Sequence, residues 1–233
     1  MNLFCVCSGK GGTGKTLVSI NLAFACAEFS NVKLIETDML TPNMRFYLEL
    51  PKKNCLNDAL NGKKKPKETE IALKENLKIV QAAYDANPFK KIDHEKINKI
   101  IKEIAEENGT VFIDLPPGLN EDVIALLREF KSAIIVTNPE MGAVSDARKL
   151  VEICSELKAE VKGVIINRVG RFKEELKESE IASIFEGSKI IGKIPEDQKI
   201  PEAAHYGKPV TEKFPDSEAA KEFFRIAKEL HKL

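Results

Sequence analysis

Gly9-Lys10-Gly11-Gly12-Thr13-Gly14-Lys15-Thr16 satisfies the pattern G-x-x-x-x-G-K-[ST] at every fixed position. Few short stretches restrict a fold so strongly, because such a loop works only between a strand and a helix. Leu3-Phe4-Cys5-Val6-Cys7, just before it, is an apolar run that reads as a strand. Leu17 to Phe29, just after it, has helical spacing, with Leu17, Ile20, Ala23, Phe24 and Ala27 on one face. Glycines let successive backbone N–H groups turn inward as a nest for phosphate oxygens. The helix N-terminus adds partial positive charge at the same point. In this setting Lys15 would reach the β- and γ-phosphates, and the Thr16 hydroxyl would ligate Mg²⁺. The alternative, a glycine-rich turn with a stray lysine, leaves the flanking strand and helix unexplained.

The rest of the chain supplies the sheet this loop needs. Val32 to Ile35 reads as a second strand running into Glu36-Thr37-Asp38, with short helices following through Thr41-Pro42-Asn43 and Leu56 to Leu60. Thr69 to Leu73 and Leu77 to Val80 read as a hairpin turning at Glu75-Asn76. Ile92, Ile97, Ile100, Ile101 and Ile104 form a helix face, with Gly109 as a stop signal. Thr110 to Ile113 is a strand ending on Asp114, followed by a helix near Asn120 to Phe130. Ala133 to Thr137 shows no polar alternation, so both of its faces are expected to be buried, as in a parallel sheet. A helix carrying Ala143, Ala147, Leu150 and Cys154, a strand over Val161 to Ile166 and a charged helix over about Phe172 to Phe185 come next. A strand at Lys189 to Gly192 and a closing helix through Ala219, Phe223, Ile226 and Leu230 complete the chain. Alternating apolar strands and helices predict an α/β fold, a mostly parallel central sheet with helices on both faces in a Rossmann-like three-layer arrangement. One domain over residues 1–233 is expected. Ligands of such sheets sit at the strands' carboxyl ends, where the Gly9 loop, Asp38 and Asp114 all fall.

Lys and Arg balance Asp and Glu to a formal net charge of zero, which speaks against strong attraction to DNA or anionic membrane. The lysine run Gly62 to Lys67 is read as a solvated loop. No apolar run approaches the ~20 residues of a membrane span, and the chain opens almost directly on its first strand, leaving no room for a signal peptide. A cytoplasmic location is expected. The five cysteines are scattered without a C-x-x-C pair, which argues against structural zinc or a cluster held within one chain. Cys5 and Cys7 share a face of the first strand and read as small buried apolar residues in a reducing compartment.

Asp114 precedes Leu115-Pro116-Pro117-Gly118, the form of the second acidic motif of P-loop ATPases, whose carboxylate holds Mg²⁺ through water. Gly118 could then swing its N–H towards a γ-phosphate. Asp38 is the candidate to position the attacking water and stands with Thr16 and Asp114 around the metal; its alternative role is to cap the next short helix. Lys10 occupies a position that the ordinary pattern leaves free, on the outer edge of the loop.

Lys10-Gly11-Gly12-Thr13-Gly14-Lys15-Thr16 resembles the deviant Walker motif of the MinD/ParA family. Thr37-Asp38-Met39-Leu40-Thr41-Pro42-Asn43 resembles its switch I and Asp114-Leu115-Pro116-Pro117-Gly118 its switch II. Thr137-Asn138-Pro139-Glu140, Ile166-Asn167-Arg168-Val169 and Ile194-Pro195-Glu196-Asp197 look like later segments of archaeal MinD-like ATPases, so the resemblance covers nearly the whole chain. It implies a P-loop NTPase fold, ATP and Mg²⁺ as cofactors, and an ATP-dependent homodimer in which Lys10 reaches the partner's phosphates. Lys10, Lys15 and Asp38 would be catalytic. Gly9, Gly11, Gly12, Thr13, Gly14, Thr16, Leu17 and Gly118 would line the phosphates. Asn167, with Arg168 beside it, would hydrogen-bond adenine, and Pro195, Glu196 and Asp197 would lie along the base. Asn167 ends a strand and has both a donor and an acceptor for a base edge.

Two residues depart from the family pattern: Glu36 in place of a first aspartate, and Leu17 in place of a second hydroxyl residue. Both bear on the hydrolysis rate. The expected activity is a slow ATPase, stimulated by an unidentified activating protein and acting in division-site placement or intracellular positioning. The alternatives are a ParA-like DNA partition ATPase, disfavoured by the zero net charge, and an iron–sulfur or metal-centre maturation ATPase, disfavoured by the lack of cysteine between Leu115 and Asp122. Family members attach to membranes through a short basic amphipathic tail. Here His231-Lys232-Leu233 follows the last helix directly. Membrane contact is therefore not expected, and a peripheral membrane location is kept only as the alternative to the cytoplasm.

Overall fold

The computed structural model describes residues 2–83, 93–106, 109–185 and 187–232. In chain order the elements are β1 (Asn2–Cys7), α1 (Lys15–Cys26), β2 (Val32–Glu36), α2 (Met44–Tyr47), α3 (Leu56–Leu60), β3 (Ile71–Lys74), β4 (Leu77–Val80), α4 (His94–Ala105), β5 (Thr110–Asp114) and α5 (Glu121–Phe130). Then come β6 (Ser132–Thr137), α6 (Met141–Glu156), β7 (Glu160–Val169), α7 (Glu178–Ile184), β8 (Ile190–Pro195), α8 (Lys199–His205), α9 (Val210–Lys213) and α10 (Glu218–Leu230). A 3-10 turn at Pro66–Thr69 precedes β3.

The strands form one eight-stranded sheet in the order β3-β4-β2-β5-β1-β6-β7-β8. All pairings are parallel except β3 with β4. β1 lies between β5 and β6, so the connections leaving it and its neighbours diverge and open a crevice at their carboxyl ends. This is the mostly parallel, helix-covered α/β sheet that the alternating pattern predicts.

The pleat divides the core in two. Phe4 and Val6, Phe112, Ile134 and Val136 face α1 and α10, whereas Cys5 and Cys7, Val111 and Ile113, Ala133 and Ile135 face the layer of α4, α5 and α6. Successive side chains of a strand point to opposite faces, so a strand buried on both faces is apolar throughout. β6 bears out that reading, with Ala133 to Thr137 all buried. Ile97, Ile100, Ile101 and Ile104 form the buried stripe of α4, started by an Asp93 side chain that accepts from Lys96 N at 3.0 Å. Ile92 lies outside the described residues.

Some local expectations change. Thr69 belongs to the 3-10 turn rather than to the hairpin, whose first strand begins at Ile71. The charged segment after β7 is helical only from Glu178. Before that, the Glu175 carboxylate accepts from Gly170 N at 2.7 Å and Phe172 N at 2.9 Å, so it closes a loop where charge periodicity suggests a helix. No helix among the described residues is long and apolar enough to cross a membrane.

Cys5, Cys7, Cys26 and Cys154 are buried free thiols. Burial pushes Cys26 up to about 12 and Cys154 up to about 11. Cys5 and Cys7 rise for the same reason, with neighbouring thiols adding to the effect. Burial and Asp58 also raise Cys55, but it alone is half-buried, so a thiol-reactive dye at pH 8 is expected to label Cys55 ahead of the other four in the native protein and all five cysteines in denaturant. Rapid native labelling of a second thiol would show that the cores open far more readily than their packing implies.

Candidate functional site

β1 carries the chain into the crevice, and the next residues are constrained by contact. A Cβ on Gly9 would lie 2.4 Å from the carbonyl carbon of Asp146 in α6, so only glycine lets the loop pass that helix. Gly14 has φ 83° and forms the N-cap of α1. No side chain caps that helix and no acid lies in its first turn, so no side chain competes with an anion for its first N–H groups.

Asp114, at the end of the adjacent β5, lies fully buried beneath the loop. Its Oδ1 accepts from Lys15 Nζ at 2.7 Å and Ser19 Oγ at 2.7 Å, and its Oδ2 accepts from Thr16 Oγ1 at 2.8 Å. Burying the Lys15 ammonium demands such a partner, because an unpaired charge there would be very costly. The Thr16 hydroxyl and the Asp114 carboxylate are hard oxygen donors already side by side, a donor set that fits Mg²⁺. Sequence reasoning missed Ser19. It lies one helical turn beyond Lys15, and that spacing was the available signal.

Thr37 N and Oγ1 both donate to the Asp114 carbonyl, at 3.0 and 2.9 Å. Asp38 follows, nearly buried. Its Oδ1 accepts from Leu40 N at 3.2 Å and Thr41 N at 2.9 Å, and its Oδ2 accepts from Thr41 Oγ1 at 2.8 Å. Both oxygens thus close a turn rather than cap the next short helix, α2, whose N-cap is Asn43, and Asp38 also lines the cleft above the loop. Glu36 accepts from Asn43 N, Met44 N and Ala82 N at 2.8, 2.9 and 3.0 Å. Burial pushes its carboxyl up to about 7, and the charge of Asp114 on the neighbouring strand adds to the rise, while the three N–H groups oppose it.

Two clefts meet over the start of α1. One, of about 320 Å³, is lined by Lys10 to Leu17 with Asp38, Asn43, Pro117 and Arg168. The other, of about 230 Å³, is lined by Gly14, Leu17, Asn167, Arg168, Glu196 and Asp197 among others. The shared residues Gly14, Leu17 and Arg168 make them neighbours, a polar cradle beside a second recess that carries Asn167 and the start of the segment after β8. Pro195 closes β8 one residue before that lining. Gly9 and Asp114 lie outside both linings, Gly9 against α6 and Asp114 beneath the loop.

Several of the expected ligand groups hold other partners. Asn167 donates to Thr13 O at 2.8 Å. Asn138, which the sequence reading named only within a segment, is buried and donates to Asn167 O at 3.0 Å. Together they hold the loop against the ends of β6 and β7. Gly118 N donates to Ser8 O at 3.0 Å. Lys10 is partly exposed, with Nζ 3.6 Å from Glu140 Oε2 at the start of α6.

The sequence profile described as ParA, NUBPL iron-transfer P-loop NTPase, matches residues 1–231. The chain belongs to the ParA family. An uncharacterized ATP-binding protein of Methanocaldococcus jannaschii is 34% identical over 227 residues, covering 97% of this chain and 86% of that protein. The structure of the septum site-determining protein MinD of Pyrococcus horikoshii, complexed with Mg-ADP, superposes with a TM-score of 0.92 at 29% identity, covering 99% of this chain and 96% of the other. MinD in the MinC:MinD cell division complex of Aquifex aeolicus gives a TM-score of 0.85 at 26% identity, covering 100% and 97%. The fold is that of the MinD P-loop NTPases.

This ParA-family loop depends on one buried ion pair. Asp114→Ala leaves the Lys15 ammonium without its carboxylate and is expected to cost about 3–5 kcal/mol of stability, read by urea unfolding without nucleotide. A loss below about 1 kcal/mol would mean that the pair does not hold the loop.

Proposed function

We propose that this protein is an ATP-binding and ATP-hydrolysing switch of the MinD type, which dimerises around ATP and Mg²⁺. The observation that carries the reading is the layered arrangement at the loop: Lys15 and Thr16 engage Asp114 below, an uncapped helix start lies at the same level, and Lys10 stands outside. Thr16 and Asp114 would hold Mg²⁺, which when bound would neutralise phosphate charge. Lys15 exchanges Asp114 for a phosphate. Asp38 releases Leu40 and Thr41 to orient water. Lys10 leaves Glu140 to reach the nucleotide of a second copy, where such a cation is worth ~10³–10⁵ in rate. Asn167 turns from Thr13 to the base. Loops ordered by the γ-phosphate would relax after hydrolysis. The MinD-like fold and the division-protein relatives support a role in division-site placement or intracellular positioning; an activating protein and a cytoplasmic location belong to the same proposal.

The iron-transfer description of the matching profile favours a second reading, a metal-centre maturation ATPase. A stoichiometric iron–sulfur cluster per dimer after anaerobic reconstitution would put that reading first.

Light scattering with ATP and Mg²⁺ tests the switch directly. Wild type is expected to shift from monomer towards dimer, and Asp38→Ala to accumulate as the dimer. Lys10→Ala is expected to lose hydrolysis by about 10³-fold or to background. Normal turnover by Lys10→Ala would sink the in-trans mechanism.

A further inference from the structure

The carboxylate that departs from the family pattern holds three segments together. Glu36 is 1% exposed at the end of β2. Its Oε1 takes the N–H groups of Asn43 and Met44, where the loop after β2 enters α2, and its Oε2 takes that of Ala82, just after β4. The opposite end of the same loop is fixed by Thr37, whose N–H and hydroxyl both bind the Asp114 carbonyl. The loop is therefore pinned at residues 37 and 43–44. Residues 38–42 form the span between the pins; Met39 within it is buried in the core, Asp38 lines the cleft and Leu40 is half-exposed. An aspartate at position 36 would be shorter by one methylene, about 1.5 Å. From the same backbone position it could not span from Asn43 and Met44 to Ala82.

We propose that Glu36 is a positioning residue for hydrolysis, anchoring the far end of the loop that carries Asp38. With both ends of the span held, Asp38 can trade its bonds to Leu40 and Thr41 for water while staying at the mouth of the cleft. Loss of the anchor leaves the far end of the span held only by the packing of Met44 and Leu48, which loosens the loop and lowers the local concentration of the Asp38 carboxylate at the reacting centre. The main nucleotide grip, on residues 9–17, is untouched. The inference rests on the reading of Asp38 as the water-positioning group.

The chain contains no tryptophan, so Phe46→Trp, at a 65% exposed position of α2, gives a single fluorescent reporter of loop mobility. In that background Glu36→Ala is expected to lower the anisotropy of the reporter, reduce kcat at least about 10-fold and leave KM for ATP within about threefold. Glu36→Gln keeps a carbonyl acceptor at full length for Asn43 and Met44 but turns a donor towards the Ala82 N–H, and is expected to recover kcat in part, above Glu36→Asp. Glu36→Asp preserves the charge without the reach and is expected to resemble Glu36→Ala, and it carries the test if Glu36→Ala does not fold. Unchanged anisotropy in Glu36→Ala and Glu36→Asp would overturn the anchor. A rise in KM with kcat intact would overturn the positioning role. If wild type hydrolyses no ATP, the reading of Asp38 fails, while the anisotropy comparison still decides whether Glu36 holds the loop.

Discussion

The carboxylate of Asp114 is the interaction on which the rest of this structure turns. A charge with no solvent access is tolerable only when donors surround it, and here an ammonium and two hydroxyls do so. Those donors come from one turn and a half of α1, and the acceptor comes from a strand about a hundred residues later. Their meeting requires β5 to lie beside β1 in parallel register, with Val6 opposite Asp114. That register in turn needs two apolar layers to clamp the sheet from both sides. The site is therefore a consequence of sheet order as much as of the motif.

The groups proposed to meet the nucleotide already hold partners within the protein. Asp38, Asn167 and the Gly118 N–H all form internal hydrogen bonds. Exchanging one hydrogen bond for another of similar quality changes free energy by little, whereas leaving a buried polar group empty costs about 1–3 kcal/mol. A nucleotide arriving here displaces partners instead of filling vacancies. Such a site can remain ordered without its ligand and still change shape when the ligand comes.

The phosphate loop and Asp114 were legible in the sequence because their chemistry fixes residue types at fixed offsets. The central strands were legible because burial on both faces leaves no polar alternation, as in Ala133 to Thr137. The short helices α8 and α9 were not, since one or two turns leave too little periodicity to recognise. The segment before α7 misled because its charges repeat like those of a solvated helix, and only the structure shows Glu175 turning back on Gly170 and Phe172. Ser19 escaped notice because its one-turn offset from Lys15 was the sole signal, and its partner Asp114 is brought beneath it only by the sheet order. Glu36 was visible as a departure, but its three backbone partners are brought together by the folded chain alone.

The close passage of Gly9 across α6 has a mechanical consequence. With no side chain between them, the phosphate loop and the second turn of that helix bear directly on each other at Asp146. Met141, 60% exposed, and Glu140 stand at the near end of the same helix. Close packing leaves no gap there to absorb a shift, so a displacement of the loop and one of that helix are felt by each other.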